Sequence, residues 1–287
     1  MQKLDGKMTA QKIQTAIQAE IKQIQQERNC RAPRLDMILL GEDYASEQYV
    51  GMKERRARET GIDGQIHRLS GNVSQRDVVD LINQLNNYAD VDGFMVQLPM
   101  PSHLDTQEIL DLIAPNKDVD GLGSTNLGGL MQGADWAIAS ATAKGVMMLL
   151  EEYKINVSGK DVVVLGRSRE VGLPLGALLL NADANVTLLH SRSGDDVRKT
   201  KCLNADVVIS AVGKVNFVTA DMIKGRAVVV DIGTNRDKDG KLCGDVDYER
   251  VQEKVAFISP VPGGVGPMTI VALLQNVVNA WKKNIGA

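Results

Sequence analysis

Short apolar runs, some carrying a single polar residue, alternate along this chain with segments whose apolar residues recur at helical spacing. Unbroken runs belong to strands buried on both faces of a parallel sheet, and three-to-four-residue spacing belongs to amphipathic helices. The runs at 35–40, 94–96, 162–165, 186–189, 205–210, 228–232 and 255–258 therefore predict strands, with a further one around 65–69. Between them, 9–26 places Ile13, Ile17, Ile21 and Ile24 on one face among Gln, Lys and Glu, which predicts a helix packed on a core. Ser46 is positioned to cap a helix that runs to about Thr60 and stops at Gly61. Further helices are expected at 74–86, 106–114 and from about 143, the last carrying Val146, Met147, Leu149 and Leu150. The final helix, 269–282, is apolar through Ile270, Val271, Leu273, Leu274, Val277 and Val278, so it must be buried and is expected to return to the first domain. Such alternation predicts an α/β fold of two domains. An N-terminal α/β catalytic domain would span 1–139 with the C-terminal helix 269–287, and a Rossmann-type domain with a five-stranded parallel sheet would span 140–268.

The stretch DVVVLGRSREVGLPLGALLLN, 161–181, organises the second domain: a buried strand, a glycine turn and an apolar helix. In a Rossmann unit such a turn brings unpaired helix amides to a pyrophosphate. The glycines are Gly166 and Gly172, and Ser168 stands where the usual pattern has its second glycine. About twenty residues on, where NAD enzymes carry an acidic residue, the chain has His190, Ser191, Arg192 and Ser193. A carboxylate there would repel a 2′-phosphate, whereas hydroxyls and guanidinium groups bind one. With Arg167 inside the turn, this predicts an NADP pocket; the alternative is a solvated loop with surface arginines. Gly213 and Gly233 follow two later strands and leave room for a nicotinamide. DKDGK, 237–241, reads as a hairpin turn, and PVPGGVGPMT, 260–269, as a rigid loop over the cofactor, excluded from helix by its prolines and glycines.

In the first domain, Tyr49 and Lys53 are four residues apart and share one helix face. They are either site residues or a solvated pair, and the neighbouring Glu54 to Glu59 run is a solvated face. Gln97 ends the strand of DGFMVQLPMP, at the edge where open α/β sheets bind ligands, or else it satisfies a loop amide. PNKDVDGLGSTNLGGL, 115–130, is a long loop in which Asp118 and Asp120 serve as turn formers or hold a cationic or amidine-like edge.

Composition narrows the class. The chain has 287 residues, 44% hydrophobic and 24% charged, enough for two globular domains. A net charge of -3 offers no basic footprint for nucleic acid. No run is long enough to cross a membrane and no signal core opens the chain, so no membrane partner is expected. Cys30, Cys202 and Cys243 form no CxxC pair, which fits reduced thiols in the cytoplasm and no metal site.

SEQYVGMK (46–53), DGFMVQLPMP (92–101), PNKDVDG (115–121), GRSREVGLP (166–174), DIGTN (231–235) and PVPGGVGPMT (260–269), in this order, resemble the bifunctional methylenetetrahydrofolate dehydrogenase/cyclohydrolase family over nearly the whole chain. The resemblance implies two domains with a folate cleft, a homodimer, NADP as cofactor and a place in one-carbon metabolism and purine biosynthesis. It places the family's YxxxK pair on Tyr49 and Lys53, its strand-end glutamine on Gln97 and its pterin-anchoring aspartate on Asp120. By the same resemblance Gly166, Arg167, Ser168, Gly172, Ser191, Arg192, Gly213 and Thr234 bind the cofactor, and Pro262, Gly263 and Gly264 line the tetrahydrofolate substrate with Tyr49 and Asp120. Two departures stand out. Ser140-Ala141-Thr142-Ala143 replaces the family's PCTP, which should loosen a hinge, and Leu122-Gly123 replaces an aromatic or His after DVDG. Alternatives are a single-activity or non-catalytic folate or nucleotide binder, and an NADP-dependent hydroxy-acid dehydrogenase with Lys53 moving its proton.

Overall fold

Asp161–Leu165 becomes an inner strand of a six-stranded, wholly parallel sheet. The strand order is Gln2–Lys3, Phe257–Ile258, Val228–Asp231, Val207–Ser210, Asp161–Leu165, Asn185–Leu189. The order reverses beside Asp161–Leu165, since the next strand in sequence lies on one side of it and the following one on the other. Open sheets bind their ligands at such a reversal. Val163, Leu165, Val208, Val229 and Ile258 join Cys202, Val218 and Ile223 in its core, and burying each aliphatic side chain is worth roughly 1.5–3 kcal/mol.

The computed structural model describes residues 1–287 and divides into two units. Met1–Gln11 and Thr142–Ala272 form the unit with the six-stranded sheet; Lys12–Ala141 and Leu273–Ala287 form the other. The first eleven residues thus lie apart from the domain in which the sequence reading put them. Gln2 and Leu4 donate backbone bonds to Ala256 and Ile258 at 2.7 and 2.8 Å, which adds a sixth strand to the five expected. A two-residue polar strand has no periodicity to betray it. Asn235–Arg236 and Leu242–Cys243 pair antiparallel around the expected turn, where the Asp237 carboxylate accepts the amides of Asp239 and Lys241.

The other unit has a three-stranded parallel sheet in the order Ile66–Leu69, Leu35–Leu40, Gly93–Val96. Every residue of Leu35–Leu40 is buried, with Leu35, Met37 and Leu39 on one face and Ile38 and Leu40 on the other. The first face meets Ile17, Ile21, Val50, Val277 and Trp281; the second meets Val78, Ile82, Phe94 and Leu110. Asp36 is the exception in this apolar strand, and its buried carboxylate is paired with Arg34 and His67, each at 2.8 Å.

Three local expectations are corrected. Helix Tyr44–Thr60 is capped by Asp43, whose carboxylate accepts the Ser46 amide at 2.8 Å, so Ser46 lies inside the helix; Gly61, with φ 89°, closes it as expected. The stretch read as one loop contains helix Ser124–Met131, started by the Asp111 carboxylate on the Ser124 amide and hydroxyl. Its Gly128 and Gly129 have poor helix propensity and hid it. The stretch 260–269, from which helix was excluded, enters helix Val265–Asn284 with Gly266 and Pro267 in its first turn, where a missing N–H costs no helix bond.

Candidate active site

Helix Tyr44–Thr60 turns one face toward the strand Gly93–Val96, and Lys53 lies between them, 5% exposed. Its Nζ donates to Gln97 Oε1 at 3.1 Å and to Met95 Sδ at 3.3 Å. Met95 and Gln97 are two residues apart, so both side chains leave the same face of the strand. The Gln97 amide still bonds to Ile38 O at 2.8 Å, and its Nε2 donates to Leu98 O at 2.6 Å, which fixes the carboxamide with its oxygen toward the lysine. Tyr49, one turn before Lys53, is half-buried. No acceptor here carries a charge in contact with Nζ. Burial pushes the Lys53 amine below the ordinary lysine range, and the negative charge of Asp120 opposes the shift. Asp120 shows the converse: burial raises its carboxyl and Lys53 opposes.

The two aspartates left open by the sequence separate cleanly. Asp118 is buried, and its carboxylate accepts the amides of Gly121, Leu122 and Gly123 at 3.0, 3.3 and 2.9 Å and Asn126 Nδ2 at 3.0 Å. It is the turn former. Burial also raises its carboxyl. The Asp120 carboxylate takes no part in these turn bonds, and the residue is half-buried. Asn126 ties the loop to Pro115 O and Ile138 N, and Asn276 of the last helix donates to Val119 O at 2.8 Å and Ala139 O at 3.0 Å. Gly121, with φ 67°, lies where a Cβ would come within 2.6 Å of Ser140 N. Lys117 caps helix Gln75–Asn87 by donating to Leu85 O and Tyr88 O.

In the six-stranded unit the glycine turn is tight. A Cβ on Gly166, φ 126°, would lie 2.5 Å from Ala211 O, and one on Gly172 would lie 2.3 Å from Gly166 O. Ser168 shapes the turn, its hydroxyl accepting the Val171 amide and its carbonyl the Leu173 amide. Helix Gly172–Asn181 then begins with no side-chain cap. Arg167, Ser191 and Arg192 are exposed, and Ser193 rather than Ser191 closes its loop by accepting the His190 amide. Gly213, φ 68°, and Thr234 are exposed at the ends of neighbouring strands. Guanidinium groups and hydroxyls, with no carboxylate ending strand Asn185–Leu189, fit a dinucleotide carrying a 2′-phosphate. Pro262 is exposed and Gly263 half-buried, while Gly264 packs against Gly6, where a Cβ on Gly6 would lie 1.8 Å from Gly264 O.

Residues 4–120 match the family model for the catalytic domain of tetrahydrofolate dehydrogenase/cyclohydrolase, and residues 140–285 match its NAD(P)-binding domain. The chain belongs to the tetrahydrofolate dehydrogenase/cyclohydrolase family. A bifunctional protein FolD from Nitratiruptor sp. is 46% identical over 283 residues, covering 99% of both chains. The bifunctional FolD structure from Campylobacter jejuni is 40% identical with a TM-score of 0.95, covering 99% of each chain. FolD from Trypanosoma brucei, solved with NADP cofactor and inhibitor, is 36% identical with a TM-score of 0.94 and covers 99% of this chain and 98% of its own. Membership in the tetrahydrofolate dehydrogenase/cyclohydrolase family does not favour the hydroxy-acid dehydrogenase or the non-catalytic binder. The family's missing prolines at 140–143 do not abolish the helix there, which runs Ala141–Glu152.

Sequence reasoning missed Met95, Asn126 and Asn276. Met95 was legible in principle, being two residues from Gln97 on a strand. Asn126 bonds Pro115 O, the Asp118 carboxylate and the Ile138 amide, and Asn276 bonds Val119 O and Ala139 O, partners that no local pattern signals.

Proposed function

We propose that this chain oxidises 5,10-methylenetetrahydrofolate to 5,10-methenyltetrahydrofolate with NADP and hydrolyses the product to 10-formyltetrahydrofolate. The observation that carries the reading is the buried Lys53 held by Gln97 and Met95 with Asp120 as its electrostatic partner, in a chain of this family. NADP, when bound, supplies the hydride acceptor. Gly166 and Gly172 would leave room for its pyrophosphate at the tight turn, Arg167, Ser191 and Arg192 would hold its 2′-phosphate, and Gly213 and Thr234 would lie along its nicotinamide half.

The carbon to be oxidised bridges two nitrogens whose lone pairs stabilise the cation left behind, so no side-chain base is required for hydride loss. Hydrolysis does require proton movement. Lys53, partly neutral through burial, takes a proton from the water that adds to the methenyl carbon. It returns that proton to the ring nitrogen as the carbon–nitrogen bond breaks, and the hydroxyl proton leaves to solvent as the formyl group forms. Gln97 holds Nζ in place, Tyr49 stacks on the pterin, and Asp120 accepts its amino and ring N–H donors. Pro262 and Gly263 line the substrate, while Gly264 acts through packing. The folate chemistry of Lys53, Gln97 and Asp120 is thus assigned to 12–141 with 273–287, and NADP to 142–272 with 1–11. No helix of the chain is long and apolar enough to cross a membrane; a homodimer in the cytoplasm completes the proposal.

Purified protein given methylenetetrahydrofolate should produce reduced-nicotinamide absorbance with NADP, followed by decay of the methenyl product faster than in buffer. No reduction with either NADP or NAD would contradict the proposal. Reduction with NAD alone would overturn the phosphate-pocket reading.

A further inference from the structure

Two carboxylates buried in the six-stranded unit have no place in the chemistry above. Asp231 ends strand Val228–Asp231 and is 3% exposed; Asp245 is fully buried. The Asp231 carboxylate accepts the amides of Gly233, Asp245 and Val246 at 2.9, 3.0 and 2.9 Å, and so fixes the backbone on which Asp245 sits. One oxygen of Asp245 then accepts Ser210 Oγ at 2.9 Å and the Val212 amide at 2.8 Å. Its other oxygen accepts the Lys214 amide and Asn235 Nδ2, both at 2.9 Å. Gly213 lies between the bonded residues of one loop, and Thr234 lies beside those of the other.

We propose that Asp245 is a positioning residue of the nucleotide site, a single carboxylate that sets the 211–214 and 232–235 loops together so that Gly213 and Thr234 present one edge to the nicotinamide half of the cofactor. The inference rests on the function proposed above. Four donors converge on two oxygens, which only a carboxylate satisfies. The closeness of fit supports the same role: a Cβ on Gly233 would lie 2.3 Å from Asp245 Oδ1, and one on Gly244 would lie 2.0 Å from Asp231 Oδ2. Glycines at 233 and 244 are what the two carboxylates leave room for.

Asp245→Asn tests this, because it keeps the size and replaces one acceptor by a donor. The Ser210 hydroxyl and the Asn235 amide can each reorient, but a main-chain amide cannot, so whichever way the new carboxamide points, Val212 or Lys214 loses its acceptor. The expected result is a rise in KM for NADP of at least about fivefold, as one orphaned loop amide implies. KM for methylenetetrahydrofolate and the rate of methenyl hydrolysis, which uses no nucleotide, should stay within about twofold. An unchanged KM for NADP overturns the proposal. Equal loss of both activities overturns it as well, unless Asn235→Ala, which removes one donor and leaves three, raises KM for NADP while hydrolysis holds; if that variant also leaves KM unchanged, the proposal falls. Wild-type protein that reduces no NADP would instead overturn the underlying function, before any variant is made.

Discussion

Lys53 sits between two opposing influences, burial that disfavours its charge and the Asp120 carboxylate that favours it. The rate of methenyl hydrolysis should therefore rise with pH through a pKa below the ordinary lysine range. Asp120→Asn removes the influence that favours the ammonium, so at saturating folate the same limb should move to lower pH; a limb that moves up would contradict the assignment. Asp231 behaves differently. Burial pushes its carboxyl up to about 6 from 3.8, so the folded state favours the protonated form. Its contribution to stability is fully present below the unfolded value and is lost as pH rises through about 6, on the order of 3 kcal/mol. Carbon-13 NMR of the Asp231 carboxyl should show a midpoint near 6, and one near 3.8 would refute the shift. At this scale, spacing puts Tyr49 and Lys53 on one helix face and Gln97 at a strand end but leaves each open, and it is the family resemblance that singles them out. Residue type and spacing do not separate Asp118 from Asp120, since an aspartate forms turns and also binds donors; the resemblance points to Asp120, and the fold shows that the turn amides consume Asp118.

The element that most depends on distant support is the 115–123 turn. Asn276 bonds the carbonyls before Asp120 and before Ser140, and the Ala141 amide bonds the Asp120 carbonyl at 3.2 Å. Asn276→Ala should cost about 1–3 kcal/mol in urea unfolding and raise KM for methylenetetrahydrofolate while leaving KM for NADP unchanged; an equal rise in both would place its effect elsewhere. Gly121→Ala should be costlier, since the position combines a left-handed φ with backbone contact. Elements marked by apolar runs, such as Leu35–Leu40 and Asp161–Leu165, were readable within a residue or so. The strand Gln2–Lys3, the helix Ser124–Met131 and the first turn of Val265–Asn284 escaped, because short polar strands carry no pattern and glycine and proline tolerate more contexts than their propensities suggest.

For the molecule as a whole, the α/β class followed from alternation, whereas strand order did not, since it is decided by tertiary pairing and by a two-residue strand from the far end of the chain. Trp281 is among the largest fully buried side chains and belongs to the core formed by Ile17, Leu35, Val50 and Val277. Trp281→Ala should destabilise by about 3–5 kcal/mol in denaturant unfolding, and a loss below about 1 kcal/mol would mean that this core relaxes around the gap. In the proposed function one chain carries two reactions on different residues, hydride transfer that needs no side-chain base and hydrolysis that needs Lys53. Lys53→Met tests it most directly, with NADP reduction and methenyl decay measured on the same preparation. Reduction should largely survive while hydrolysis collapses by about 100-fold or more, the scale of a lost acid–base group. Equal loss of both rates, or hydrolysis that persists, would contradict it.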